Sequence, residues 1–249
     1  MKIELCIPAF NEERVIAEAV HAVLEVFRKV GKEVVLTVVD NASTDRTASI
    51  VKGIDGVRVV SIPLRGKGAA VVAAARRSEA DIFGFLDADL SVDPNEVLSL
   101  LPLLERKECD IVIGSRLMDS RIVDRGKFRT FSSRVFNRIR KMLVGIAVED
   151  TQCGLKLMNA RGRKVLAACE ETGWFFDIEF LALAERAGLR IREVPVHWHE
   201  HRFPDRVSKL HHVRDSVEAL RTMLRIRRRI LRATDSSRRS GAEADIPPR

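Results

Sequence analysis

The sequence predicts an α/β protein built on a mostly parallel sheet with helices on both faces. Three observations carry this. Short apolar runs alternate with amphipathic helical stretches through the first 115 residues. The polar residues of that half gather where the apolar runs end. No run approaches the ~20 apolar residues needed to cross a bilayer.

Ile3–Ile7 is the first expected strand, with Glu4 inside an apolar run, a pattern of buried structure and not of a secretory leader. Asn11 is placed to cap a helix whose first turn holds Glu12 and Glu13 and whose apolar positions (Val15, Ile16, Val20, Val23, Phe27, Val30) recur at helical spacing. Val34–Val39 follows as a strand, then a helix opening at Ser43-Thr44-Asp45. Val57–Ser61 is a third strand, Gly66–Ser78 an alanine-rich helix, and Ile82–Leu86 a fourth strand. Asp93-Pro94 starts another helix, with proline at its tolerated first position, and Ile111–Ile113 makes a fifth strand. Beyond these, the pattern predicts an amphipathic helix near 131–145, a strand at Arg190–His197 and a long basic helix near 207–231. The polar stretch 234–249 reads as a disordered tail. The expected organisation is one α/β domain over 1–206, in two halves that meet between residues 115 and 116, then a basic amphipathic helix over 207–233.

Composition narrows the functional classes. The net charge of +8 is concentrated. Residues 116–141 hold nine basic side chains against two acidic ones, and residues 221–249 hold nine arginines against three acids, leaving the rest of the chain near −5. Two basic patches suggest two places where phosphate-rich matter is met. Nucleic acid is not the expected partner, because no aromatics interleave with the basic tail and the chain contains no tyrosine. Neither G-x-G-x-x-G nor a P-loop occurs, which argues against a dinucleotide or ATP cradle. Cys6, Cys109, Cys153 and Cys169 lack metal-ligand spacing and read as reduced, partly buried thiols of a cytoplasmic protein. His197, His199, His201, His211 and His212 likewise form no zinc pattern.

In open parallel sheets, ligands bind beyond the strand C-termini. Here those ends read Pro8-Ala9-Phe10-Asn11-Glu12-Glu13, Asp40-Asn41-Ala42-Ser43-Thr44-Asp45 and Asp87-Ala88-Asp89. Two carboxylates converging at Asp87 and Asp89 would repel each other unless a cation lies between them, and hard oxygen ligands suit Mg²⁺ or Mn²⁺. The alternative is a turn with two capping aspartates.

These segments, together with Gly66-Lys67-Gly68, Gly114-Ser115-Arg116 and Asp150-Thr151-Gln152-Cys153-Gly154-Leu155-Lys156, occur in the order seen in family 2 glycosyltransferases of the GT-A fold, which the chain resembles to about residue 225. The resemblance is strongest to polyprenyl- or dolichyl-phosphate sugar synthases. Trp174-Phe175-Phe176-Asp177-Ile178-Glu179, Glu193–Trp198 and Ser208-Lys209-Leu210 resemble the dolichyl-phosphate β-glucosyltransferase branch. The resemblance implies a UDP-sugar donor, probed by Pro8, Ala9, Asn11, Glu12, Asp40, Lys67, Asp87, Ala88 and Asp89. Asp40 would hydrogen-bond the base, Asp87 lie by ribose and diphosphate, and Asp89 be the principal metal ligand beside Asp87. Lys67 would neutralise phosphate charge. Arg116, Arg129, Arg134 and Lys209 would receive the phosphate of a polyprenyl acceptor, with Asp89, Asp150 and Arg116 as the catalytic set. Two departures stand out: Asn41-Ala42 replaces the commoner Asp-Gly, and Ser91 stands where some mannosyl relatives have a Gln metal ligand, for which Gln152 could substitute.

An inverting displacement needs an in-line nucleophile and a stabilised diphosphate leaving group, which the metal and Lys67 can serve electrostatically. A phosphate monoester, with a second pKa near ~6, needs no general base. A sugar-hydroxyl acceptor would need one, with Asp150 or Asp177 the candidates, unless Asp177 and Glu179 merely cap a helix. A nucleotidyltransferase is a more distant alternative, since it too uses an Asp pair, but it would carry a Gly-rich loop where Pro8–Glu13 stands. A nucleic-acid-binding module is the alternative of another class. Val217, Leu220, Met223, Leu224 and Leu231 recur at helical spacing among arginines, so the C-terminal helix is expected to lie on an anionic membrane surface and hold the enzyme there peripherally.

Overall fold

A computed structural model describes residues 1–118, 140–199 and 220–230. Arg129, Arg134, Lys209, Val217 and Leu231 lie outside the described residues, as do the tail and most of the helix expected near 131–145, of which 140–144 is helical.

Among the described residues, seven strands form one sheet in the order β3-β2-β1-β4-β6-β5-β7. The strands are β1 (Ile3–Ala9), β2 (Val35–Asn41), β3 (Val57–Ile62), β4 (Ile82–Phe85), β5 (Ile111–Ser115), β6 (Lys156–Asn159) and β7 (Ile191–Pro195). β1 pairs in parallel with β2 and β4, and β2 with β3. β6 runs antiparallel between β4 and β5, and β7 returns in parallel beside β5. The sequence pattern places the first five strands but passes over β6. Unlike β4, which is equally short but wholly apolar, the strand opens on Lys156, a charge that only a tertiary partner makes tolerable in the core.

Among the described residues the helices are α1 (Ile16–Lys29), α2 (Thr47–Lys52), α3 (Lys67–Arg77), α4 (Asn95–Glu105), α5 (Ala160–Ala167) and α6 (Phe176–Arg186), besides the segments 140–144 and 220–230. Strand alternation divides the core in two. Ile3, Leu5 and Ile7 face α1, α2 and α4, where Ile16, Val20, Val23 and Phe27 are buried. Cys6, Phe83 and Phe85 face α3, α5 and α6 on the opposite side. Each fully buried aliphatic or aromatic side chain contributes roughly 1.5–3 kcal/mol, so both layers are held mainly by apolar burial. The four cysteines are free and buried in these layers. Burial pushes the Cys153 thiol to about 11 and Cys169 to about 12, so neither is a thiolate near neutral pH.

Residues 220–230 add a helix to the second layer. Met223, Ile226 and Ile230 are each 2% exposed there, whereas Leu220 and Leu224 are 45% and 40% exposed. The expected single stripe is therefore split: Met223 turns inward onto the layer of α3, α5 and α6 and the two leucines turn outward. No helix among the described residues is long and apolar enough to cross a membrane.

Candidate active site

The C-terminal ends of β1, β2 and β4 lie side by side, with Pro8 opposite Val39, Ala9 opposite Asp40, and Cys6 opposite Phe85. Three residues just beyond them take left-handed backbone: Asn11 (φ 52°), Ala42 (φ 57°) and Leu90 (φ 48°). Such conformations cluster at functional edges, where surrounding structure over-determines them. Ala42 shows what one departure from the commoner Asp-Gly costs. The position needs a positive φ, which glycine adopts freely and alanine only at about 1–2 kcal/mol.

Asn11 is not a helix cap. α1 begins at Ile16, five residues later, and its N-cap position Val15 makes no side-chain cap. Instead Asn11 ties two loops together: its N–H donates to Ser43 Oγ at 3.0 Å, and Thr44 N–H donates to its Oδ1 at 2.8 Å. Glu12 N–H donates to Thr47 Oγ1 at 2.8 Å, and Arg46 N–H to Glu13 Oε2 at 3.1 Å. The cap expectation fails because partners 32 to 35 residues away satisfy these groups better than the first turn could. Asp40 is 7% exposed and accepts from Ser43 N–H at 3.3 Å. Asn41 Nδ2 donates to Gly66 O at 2.5 Å, fastening the end of β2 to the turn that carries Lys67.

Lys67 opens α3. Its Nζ lies 2.6 Å from Asp87 Oδ1 and above the Trp174 ring at 5.5 Å. Burial alone would lower its pKa, but Asp87 and Asp177 outweigh it and hold the ammonium charged. Gly66, at φ 137°, makes this turn possible, since a Cβ there would stand 2.0 Å from Thr172 O. Asp87 is braced on its other side by Gly154, where a Cβ would lie 2.3 Å from Asp87 Oδ2. Gly154→Ala should therefore push the Asp87 carboxylate off its contact with Lys67 and cost about 1–3 kcal/mol, read from urea midpoints, while the protein still melts cooperatively. Asp89 Oδ1 accepts from Ser91 N–H at 3.1 Å, and Ala88 is buried between the two aspartates.

As a cation site the pair fits chemically: two carboxylates on one partly exposed turn give hard oxygen donors beside a fixed ammonium. No group of three His, Cys, Asp or Glu side chains capable of holding a metal occurs among the described residues. The amide Nε2 of Gln152, the candidate third ligand, is buried without a hydrogen-bond partner among them.

Arg116 and Asp150 meet at the end of β5. Arg116 Nε and Nη2 donate to the two carboxylate oxygens at 2.8 and 2.7 Å, and its own backbone N–H adds a third bond at 2.8 Å. Burial would raise the Asp150 pKa, but Arg116 overrides it and holds the carboxyl below the usual range. Glu193 fixes the same turn, accepting from the N–H groups of Glu149 and Asp150 at 2.7 and 2.8 Å. Arg116 also lies 5.9 Å from the centre of the Trp198 ring.

Asp177 and Glu179 cap nothing. Both lie in the first turn of α6 and point into the protein, 1% and 2% exposed. Asp177 pairs with Lys156 Nζ at 2.7 Å in a fully buried ion pair, and burial pushes its carboxyl upward against the pull of Lys156 and Lys67. Lys156 also donates to Cys153 O at 2.8 Å. A row of alternating charge, Asp87–Lys67–Asp177–Lys156, thus runs from the crevice into the core. Lys156 carries no role in the sequence pattern, and its only signal there is its place at the end of the Asp150–Lys156 motif.

A nucleotide-binding half-sheet, an acidic D-x-D turn at its edge and an antiparallel strand inserted beside β4 define a GT-A glycosyltransferase. The family model for Glycosyl transferase family 2 matches residues 4–165, and the chain belongs to that family. It is similar to the dolichyl-phosphate beta-glucosyltransferase of Dictyostelium discoideum, 28% identical over 92% of this chain and 75% of the relative. The Drosophila melanogaster dolichyl-phosphate beta-glucosyltransferase is 31% identical over 80% of this chain and 68% of its own. Glycosyltransferase AglD of Haloferax volcanii is 29% identical over 93% of this chain, which spans only 39% of that relative's length. Among solved structures, glucosyl-3-phosphoglycerate synthase from Mycobacterium tuberculosis in complex with Mn²⁺, UDP and phosphoglyceric acid superposes with a TM-score of 0.63 at 25% identity, covering 99% of this chain and 80% of that one. The same enzyme with Mg²⁺ and UDP gives a TM-score of 0.66.

Proposed function

We propose that this glycosyltransferase moves a hexose, glucose by preference, from a UDP-sugar to a polyprenyl or dolichyl phosphate with inversion. Pro8, Ala9, Asn11 and Glu12 border the nucleoside, and Asp40 takes the base. Asp87 and Asp89 would hold Mg²⁺ or Mn²⁺, which would supply charge neutralisation for the diphosphate leaving group. Lys67 adds a fixed positive charge on the same side. Arg116, with Arg129, Arg134 and Lys209, receives the acceptor phosphate.

One observation carries the acceptor assignment. A hydroxyl acceptor would need a carboxylate base, and both candidates are engaged: Asp150 is locked by Arg116 at 2.7 Å and Asp177 by Lys156 at 2.7 Å, each nearly solvent-free. A phosphate nucleophile, already largely dianionic, makes no such demand. The names of the relatives favour the same acceptor, and the metal-bound UDP complexes of the structural neighbour favour the same donor. The expected result is that UDP-glucose with Mn²⁺ raises the melting temperature more than GDP-mannose does, and that polyprenyl phosphate but not polyprenol is glucosylated. Tight GDP-mannose binding with no response to UDP-sugars, or transfer to a phosphate-free glycoside, would sink this assignment.

The acceptor lies in a bilayer, so the enzyme has to reach its cytoplasmic surface. Around helix 220–230 the exposed arc carries Leu220 and Leu224 with Arg221, Arg227 and Arg228, opposite the buried Met223, Ile226 and Ile230. This outward arc is the part offered to anionic lipid, at about 1 kcal/mol for each basic residue near the surface. Removing the whole helix would also strip three buried side chains from the core, so point changes are the cleaner test. The combined variant Leu220→Ser, Leu224→Ser, Arg221→Gln and Arg228→Gln should lose salt-sensitive sedimentation with phosphatidylserine vesicles and keep UDP-glucose binding. Unchanged sedimentation removes the membrane role from this helix.

A further inference from the structure

Lys67 is positioned from behind rather than from within its own helix. Gly68 N–H donates to Gly173 O at 3.2 Å and Ala69 N–H to Thr172 O at 3.0 Å. A Cβ on Gly66 or Gly68 would stand 2.0 Å from Thr172 O or 2.6 Å from Glu171 O, so the Lys67 turn and segment 171–173 touch backbone to backbone. Any shift of that segment moves the lysine.

The segment is in turn held by one buried carboxylate. Glu179 Oε2 accepts the N–H groups of Glu170 and Glu171 at 2.9 and 2.7 Å. Its other oxygen receives Arg229 Nη1 from helix 220–230. Arg229 also bonds Ala168 O at 3.0 Å and pairs with Glu170 at 2.9 Å, while Arg225 pairs with Glu171 at 2.9 Å. Glu179 is 2% exposed, and a carboxylate so enclosed is stable only with its cation in place. The path from Arg229 to Lys67 is therefore continuous: guanidinium, Glu179 carboxylate, backbone 170–173, Lys67 turn.

We propose that Arg229 and Glu179 are positioning residues for Lys67, so that helix 220–230 sets where this ammonium stands relative to Asp87 and the donor diphosphate. The proposal rests on the reading that Lys67 meets the donor, and the test separates the two. It uses the full chain with UDP-glucose, Mn²⁺ and polyprenyl phosphate, and the variants Lys67→Ala, Arg229→Ala, Arg229→Lys and the double alanine.

Arg229→Ala should lower kcat/KM on the order of tenfold, since small displacements of a charge-stabilising group are costly, and Arg229→Lys should restore most of it. On a Lys67→Ala background, Arg229→Ala should add less than twofold, because the group through which it acts is gone. If Arg229→Ala does not melt cooperatively, Glu179→Gln carries the same cycle, as the amide oxygen still accepts the two N–H groups. A full tenfold loss persisting on the Lys67→Ala background, or less than twofold from Arg229→Ala alone, overturns the positioning role. Wild-type turnover by Lys67→Ala overturns the donor reading and this proposal together.

Discussion

Asp89→Asn is expected to reduce turnover by at least ~10²–10³-fold and to abolish the Mn²⁺ dependence of UDP-glucose binding, while leaving the melting temperature nearly unchanged. The change removes one negative charge but keeps the shape of the side chain and an oxygen for the Ser91 N–H, which Asp89 accepts at 3.1 Å. The turn itself, with Leu90 in left-handed backbone and Leu90 N–H bonded to Asp87 O at 3.1 Å, does not need the charge. Loss of function without loss of fold is the signature of a ligand and not of a capping aspartate. Calorimetric titration with and without Mn²⁺, beside a thermal scan, measures both. Near-normal activity of the variant in EDTA would refute the metal assignment for this turn.

Arg116→Ala is expected to be the most destabilising single change at the crevice. Asp150 is 3% exposed and takes three bonds from Arg116, so the alanine variant leaves a buried charge without its cation, a loss of about 3–5 kcal/mol. Asp150→Asn should cost less, because an amide oxygen can still accept. The pH dependence has a definite sign. The folded carboxyl titrates below its unfolded value, so its contribution is present above about pH 4 and is lost as pH falls through the folded pKa. The advantage of the native protein over Asp150→Asn, read from urea midpoints, should therefore shrink on acidification from neutrality to pH 3. A gap that widens on acidification would contradict the assigned direction. In whatever folded fraction remains, Arg116→Ala should raise KM for polyprenyl phosphate more than KM for UDP-glucose.

The half of the protein up to residue 115 was legible because its signals are local. β1 to β4 and α1 to α4 follow from apolar periodicity, and the D-x-D turn follows from two acids placed after a buried strand. In the half beyond residue 115 the signals are not local. β6 is a four-residue strand led by a lysine, and nothing near it in sequence accounts for that charge; Asp177, 21 positions later, does. Asp177 and Glu179 look like first-turn acids of a surface helix, yet α6 is buried on that side and both carboxylates are claimed by cations from other elements.

The sequence by itself determined the parallel half-sheet, the crevice at its C-terminal edge and the family, since periodicity and ordered motifs depend only on neighbours along the chain. Tertiary structure alone decided which charges are available. Asn11 and Asp150 are drawn into contacts 33 and 34 residues away, and Met223 is turned into the core while Leu220 and Leu224 stay outside. The physical reason is that a side chain's role follows from what desolvates and pairs it. Those partners are brought together only when the sheet closes.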